Sequence, residues 1–488
     1  MATLYSSLDP LSLTQQLAFY ELYKDTAEGK EALSHVWKLL TQENLTEDLT
    51  DISFPSINID AIVSLITRQT FDPPILLQEE ELNLIEKISS SLPNRKLKGA
   101  HVWTVHEVEN LPTEEIDLAR GLLLCQFENH ENFRDEIRQY EASLDLMALQ
   151  ILIRLQGDKN PERIIKEMNR LIFHEMQFRF PPHSLQHKEI DLYTFLPSVL
   201  DSRRGVCLGV SIIYLSLAQR LNLTLEVITP PGHIYVRYRE GDTIINIETT
   251  ARGINLPSEV YLGVNTRNLQ QNTIKEVIGM AFFNHAGLAW ANEDYGFAVQ
   301  LYEKAQRFCI DDPLLKMLLG MNYLFIGKVT EGEKLLREIE YTTFDDAVSP
   351  ESLAQDYLSG KVDAEGLKMA FLRVDESRQS IIEKQQKLQK ILAHYPKFRA
   401  GLFQLATTWL QLGRVSEASQ VLETYHRIDP SYCVVEYYLS IFSMERFDYK
   451  KAWSHLKKAE QITNARNHNP KALKSLRNTL KMVYPEEM

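Results

Sequence analysis

Three residues in the middle of the sequence are of the types that carry out acyl chemistry: Cys207, His233 and Glu248. A thiolate attacks a carbonyl, an imidazole takes and returns the proton, and a carboxylate fixes the imidazole's tautomer and orientation. Such a set is recognised by roles and distances, and its order along the chain, here Cys, His, Glu, is no obstacle. All three lie within residues 202–253, SRRGVCLGVSIIYLSLAQRLNLTLEVITPPGHIYVRYREGDTIINIETTARG.

The elements that must position them can be read from the same stretch. Arg203, Arg204 and Gly205 precede Cys207, and apolar residues then cover nearly every face to about Arg220, which predicts a buried helix with Cys207 at its N-terminus. There the macrodipole favours thiolate over thiol, and backbone N–H groups are placed to receive a developing oxyanion. Leu223–Thr229 is a short β-branched run, and Pro230-Pro231-Gly232 predicts a sharp turn. From His233 to Arg239 period two takes over, with Ile234, Val236 and Tyr238 on one face and His233, Tyr235 and Arg237 on the other. Gly241-Asp242 is a two-residue hairpin signal, and Ile244–Thr250 reads as the return strand.

That hairpin sets Glu240 against Thr243, Arg237 against Asn246 and Tyr235 against Glu248. His233 becomes the diagonal neighbour of Glu248, roughly 7 Å away at the backbone. Asn246 lies about two residue steps further off, so strand geometry favours Glu248 over Asn246 as the orienting group, and a bulge would reopen that choice. Each residue also has a purely structural reading. Cys207 is then a buried thiol near a helix start, His233 closes the Pro-Pro-Gly turn, Glu248 faces Arg237 or Tyr235 across the strands, and Arg203 and Arg204 are solvated or helix-packing residues.

The arrangement resembles the transglutaminase-like cysteine-protease superfamily, in which a helix-borne Cys faces a strand-borne His and an acid on the next strand. It is most similar to the SirB-type transglutaminase-like family, through EEIDLARGLLL, MNRLIF, FLPSVLDSRRG, YLSLAQRLNL, PPGHIYVRY and INIETTARG in the same order, over about residues 110–255. The resemblance implies an α+β central domain of papain/transglutaminase type, a helix packed on a small antiparallel sheet. It implies Cys207 as nucleophile, His233 as base and Glu248 as third member. Many SirB-type members lack the cysteine that this chain has, and the third member is more usually Asp.

From about residue 275 helical patterning returns as a repeat. Leu319, Gly320, Tyr323, Gly327, Gly332 and Leu336 fit a 34-residue helix-turn-helix template. Leu405, Trp409, Gly413, Ala418, Leu422 and Pro430 fit it again, and Leu439, Ala452, Leu456 and Ala459 follow one period later. Ala298, Tyr302 and Ala305 match only the second helix of a copy. These residues resemble tetratricopeptide repeats, whose small residues let helices approach closely. The expected organisation is a helical N-terminal region over 1–93, the transglutaminase-like domain over 94–265, and repeats over 275–488 interrupted near 340–380. Residues 1–93 carry no catalytic motif.

Composition narrows the function classes. The 488 residues hold 53 Lys+Arg against 66 Asp+Glu, a net charge of -13 that argues against nucleic acid or an anionic membrane as the main partner. The basic C-terminal residues Lys457, Lys458, Arg466, Lys471, Lys474 and Arg477 lack interleaved aromatics and read as a solvated helix face. The four cysteines, Cys125, Cys207, Cys309 and Cys433, lie far apart with no CxxC, which fits a reducing cytoplasm; the three other than Cys207 read as packing residues. The N-terminus lacks a signal peptide pattern, and the longest apolar stretch, Val206–Ala218, is too short to span a bilayer. His183 and His187 are spaced i, i+4 but follow Phe180-Pro181-Pro182 with no evident third ligand, and nucleotide-binding glycine loops are absent, so neither metal nor cofactor is expected. The leading expectation is acyl transfer or hydrolysis at an amide or ester, coupled to a protein or peptide partner held by the repeats. The alternative is a non-catalytic adaptor whose central domain is structural.

Overall fold

The computed structural model describes residues 1–41, 76–181, 193–374 and 377–485. His183 and His187 lie outside them. The chain divides into two compact units: Met1–Val227, Ile234–Leu256 and Asn272–Ala281 form the first, and Ile228–His233, Pro257–Gln271 and Phe282–Met488 the second.

In the first unit, α1 (Leu13–Leu22) starts at Ser12, whose hydroxyl accepts from the Gln15 amide, and α2 (Ala27–Thr41) follows. Their apolar residues Leu13, Leu17, Leu33 and Val36 meet Ile153, and the Gln150 amide binds both Leu13 N and Leu11 O. The helix α3 (Glu79–Ile88) opens with a reciprocal Gln78–Glu81 cap and packs Leu82 and Ile85 on Ala142 and Leu146. Further along, α4 (Leu118–Phe127) begins after the segment PTEEI. Thr113–Glu115 make only a 3-10 turn, and Asp117 is the cap, accepting from Arg120 N while Asn94 donates to its other oxygen. Then come α5 (Phe133–Leu155), α6 (Pro161–Asn169) with a π-helical turn at Arg170–Glu175, α7 (Leu196–Ser202) and α8 (Cys207–Arg220).

A buried charge network ties α4, α5 and α8 together. Arg220 Nε donates to Asp145 Oδ1 at 2.7 Å, and Arg95 reaches the other Asp145 oxygen at 2.5 Å. Arg120 grips Glu141 with two bonds of 2.6 and 2.7 Å, and its guanidinium lies 4.1 Å from the centre of the Trp103 ring. Counting Asp117, three arginines face three carboxylates.

The sheet consists of β1 (Glu226–Thr229), β2 (Tyr235–Glu240), β3 (Thr243–Ile247) and β4 (Gln270–Asn272), in the order β3-β2-β1-β4. Strands β2 and β3 are antiparallel, with Arg237 opposite Asn246 and Glu240 opposite Thr243, as the Gly241-Asp242 turn requires. Two features depart from the sequence reading. Residues Ile234–Tyr238 are buried on both faces: α8 packs against β2, and Tyr235, Arg237 and Asn246 satisfy one another's polar groups. The return strand stops at Ile247, so Tyr235 and Glu248 are not a ladder pair. Glu248 instead bridges Ile254 and caps a 3-10 turn at Thr249–Ala251.

The second unit is helical. Helix α9 (Ile274–Ala291) contains the division between the units, and α10 (Tyr295–Gln306), α11 (Pro313–Phe325) and α12 (Val329–Ile339) follow. Beyond them stand α13 (Leu353–Leu358), α14 (Ala364–Ala370), α15 (Arg378–His394), α16 (Arg399–Gln411), α17 (Val415–Ile428), α18 (Cys433–Glu445), α19 (Tyr449–Asn464) and α20 (Lys471–Val483). Helices α16 and α18 begin 34 residues apart, as do α17 and α19, so the repeat period is a structural one. Within each pair a small residue of the first helix meets one of the second. A Cβ on Gly332 would stand 2.7 Å from Gly320 O, Ala406 and Ala418 are both buried, and Ser440 Oγ donates to Ala452 O at 2.8 Å. In the interrupted stretch, α13 and α14 fill the gap, adding Leu353, Val362 and Leu367 to a core with Met317, Leu336 and Phe398. Arg399 locks this insertion to the repeats through Asp356 at 2.7 Å and Asp429 at 2.8 Å.

Candidate functional site

Cys207 is the first residue of α8, half-buried, with Val206 as N-cap. The Val206 side chain carries no oxygen to accept from the first-turn amides, which leaves those donors for another acceptor. The chain just before it is held like a strand: Arg179 N donates to Arg203 O and Gly205 N to Arg179 O. Val206 N donates to Tyr193 O, and the same carbonyl lies 2.3 Å from where a Gly209 Cβ would be, so only glycine admits this close approach. Arg203 adopts the left-handed conformation at φ 52° and donates to Met176 O, a packing role.

Below Cys207 the helix is buried from Leu208 to Ala218. One turn along, on the face of Cys207, Ser211 Oγ lies 2.9 Å from Thr249 Oγ1. Further down, Tyr214 OH donates to Asn169 Oδ1 at 3.0 Å, and Asn169 Nδ2 donates to Gly253 O at 3.3 Å. Helix α8 thus holds the 248–253 turn directly at Thr249 and, by way of Asn169 of α6, at Gly253. Gly253 has φ +76°, and a Cβ there would strike the Asn169 side chain.

Glu248 is 4% exposed. Its Oε1 accepts from Thr250 N at 3.1 Å and Thr250 Oγ1 at 2.6 Å, while its backbone oxygen accepts from Ala251 N and Gly253 N. Asn246, the other candidate for third member, is engaged elsewhere. Its Oδ1 accepts from Arg237 Nε at 2.9 Å, and its Nδ2 donates to Leu256 O at 2.5 Å. Arg237 also donates to Tyr235 OH at 2.7 Å and faces Glu226 at 3.5 Å. This buried set accounts for the polar residues on the inward face of β2 without any catalytic role.

His233 follows a type II turn: Gly232 has φ +71° after Pro231, and His233 N donates to Pro230 O at 3.0 Å. Its half-exposed ring stacks on Tyr261, centroids 5.6 Å apart at 26°. His233 and Tyr261 belong to the second unit, whereas Cys207 and Glu248 belong to the first. Cys309 and Cys433 are buried, Cys125 is half-buried, and no disulfide is present among the described residues. A cavity of about 570 Å³ in the first unit is lined by Tyr140, Met176, Asp201 and Arg203 among others, and Cys207 does not line it.

Residues 138–278 match the family model of the Transglutaminase-like superfamily. The chain carries a transglutaminase-like domain. The matched span takes in Cys207, His233 and Glu248, and also the positioning residues Asn169, Ser211, Tyr214 and Thr249. Sequence reading missed those four. The usable signal was a serine one turn from Cys207 in an otherwise apolar helix, beside the TT of IETTARG. No curated protein matches the chain. Solved structures similar to it include MamA MSR-1, at 19% identity over 38% of this chain and 97% of that one with a TM-score of 0.20. A crystal structure of MamA is 15% identical over 37% and 94% with a TM-score of 0.21, and MamA of Desulfovibrio magneticus RS-1 is 12% identical over 38% and 96% with a TM-score of 0.20. Likeness at such scores carries no argument about this chain. Beside the transglutaminase-like domain, no described helix is long and apolar enough to cross a membrane.

Proposed function

We propose that the transglutaminase-like domain is of the SirB type and performs acyl transfer or hydrolysis at an amide or ester, with Cys207 as nucleophile, His233 as general base and Glu248 as the group that orients the imidazole. The observation that carries this reading is the placement of Cys207 at the start of a buried helix whose next turn binds the residue beside Glu248. His233 takes the thiol proton, the thiolate sulfur bonds to the carbonyl carbon, and the oxygen gains the electron pair. First-turn amides of α8 receive that oxyanion, which collapses as the scissile C–N or C–O bond breaks and imidazolium protonates the leaving group; water or an amine then attacks the thioester carbon and breaks its C–S bond.

Labelling the intact protein with a thiol-reactive electrophile across pH tests the proposal. Cys207 is the preferred site of modification and loses that preference in His233→Ala. Cys433, whose thiol is pushed up by burial, is the internal reference. Equal sluggishness at both cysteines overturns the reading.

A second reading rests on the 34-residue helix pairs: the repeats hold a protein or peptide partner in their groove, whether or not the domain is active. Cross-links from a partner to residues 275–485, retained in Cys207→Ala, support it. Cross-links confined to residues outside the repeats sink it.

A further inference from the structure

The strongest unused cluster lies in the repeats, at His426 in the last turn of α17, Glu436 in the first turn of α18 and His455 in α19. His426 Nδ1 is 2.5 Å from Glu436 Oε1 and His455 Nδ1 is 2.8 Å from Glu436 Oε2. Their three ligand atoms lie within 4.8 Å of one another, and the two rings stand nearly perpendicular, at 81° with centroids 5.1 Å apart. We propose that this trio is a binding site for a divalent transition metal of the zinc class, held by two imidazoles and one carboxylate.

Burial and charge both favour a cation there. The Glu436 side chain is 0% exposed, and its ion-pair partners among the described residues are the two imidazoles, with no lysine or arginine to neutralise it. Burying a carboxylate is costly unless a positive charge accompanies it, and a divalent cation would supply that charge in full. Two histidines and a glutamate are also the ligand types of open zinc sites, in which water completes the coordination. The histidines are 29% and 16% exposed in their side chains, leaving a solvent side for that water. Metal–ligand bonds of about 2.0–2.2 Å put neighbouring ligand atoms roughly 3.3 Å apart, so occupation opens the two contacts by under about 1 Å and requires each imidazole to carry its proton on Nε2. The ligands are 10 and 19 residues apart on three helices, which is why no short motif announces them. Joining α17 to both α18 and α19, the ion would staple one repeat to the next.

The test uses the full chain, freed of metal by dialysis against a chelator and titrated with Co²⁺ as spectroscopic probe and then Zn²⁺. The proposal expects one saturable equivalent with the visible absorption of low-coordinate Co²⁺ bound by nitrogen and oxygen. Zn²⁺ displaces it, and Zn²⁺ raises the Tm. His455→Asn and His426→Asn, each checked for native circular dichroism, weaken binding at least 100-fold, whereas Cys207→Ser leaves it unchanged. Non-saturating uptake by the native chain, or binding that survives in both histidine variants, overturns the proposal, as does loss of the equivalent in Cys207→Ser alone. Because the native chain's own titration decides, a variant that fails to fold does not shelter the idea.

Discussion

Ser211 and Thr249 face each other across 2.9 Å of buried interior, one on the helix that begins at Cys207 and the other directly after Glu248. Two hydroxyls from distant parts of the chain thereby fix the helix against the turn, and any reaction that needs Cys207 and Glu248 in register depends on that joint.

Thr249→Val is expected to destabilise the protein by about 1–3 kcal/mol, because it leaves the Ser211 hydroxyl buried without its partner. Adding Ser211→Ala recovers part of the loss, since removing both partners is milder than removing one. Urea unfolding of the two single variants and the double variant measures the coupling, and strict additivity would show that the pair does not hold the joint.

The buried charges between α4, α5 and α8 predict a sharp contrast in cost. Asp145→Asn breaks the contact with Arg220, whose side chain is wholly buried, and is expected to cost about 3–5 kcal/mol. Glu86→Gln weakens an ion pair with Arg138 on a partly exposed face and is expected to cost about 1 kcal/mol or less. Denaturation midpoints of the two variants check the ratio.

Asp117 makes the stability depend on acid. Burial opposes its ionisation, but the Arg220 charge, the Asn94 bond and the Arg120 amide outweigh burial and hold its carboxyl below the usual range. A carboxylate with a lowered folded-state pKa contributes stability that is present above its unfolded value of about 3.9 and lost as pH falls through the folded value. Asp117→Asn should therefore be less stable than the native protein near neutrality and converge with it in strong acid. Comparing the two chains isolates Asp117 from Asp346 and Glu351, which burial shifts the opposite way. Parallel stability curves at all pH values would exclude this linkage.

Gly332→Ala tests the close approach inside the α11–α12 pair. The added Cβ would meet Leu324 Cδ2 at 2.6 Å and the Gly320 carbonyl oxygen at 2.7 Å. A helical alanine gains about 1 kcal/mol in propensity, but overpacking against backbone costs about 1–3 kcal/mol, so a net loss is expected. A raised melting temperature would contradict the packing described here.

The sequence displayed much of this arrangement because its strongest signals are local. Cys207 at a helix start, the Pro231-Gly232 turn and the Gly241-Asp242 hairpin each follow from a few adjacent residues. What escaped depends on distant partners. Asp117 caps α4 with Asn94 and Arg220 around it, and Ser211 of α8 holds Thr249 just past the end of β3. The period-two pattern of β2 was plain, but not that both of its faces are buried, since the bond between Arg237 and Asn246 shows only once the strands are paired. In the repeats, spacing revealed Gly320 and Gly332, whereas His426, Glu436 and His455 converge only after three helices fold.

The interlocked arginines and carboxylates bear on synthesis as well as stability. Arg95, Arg120, Asp117, Glu141 and Asp145 all leave the ribosome before Arg220 does, so a nascent chain that closed early would trap Asp145 with only one of its two cations. Asp145 gains its second cation only once the last turn of α8 has been made, and an Asp145 buried before then would lack half of its counter-charge.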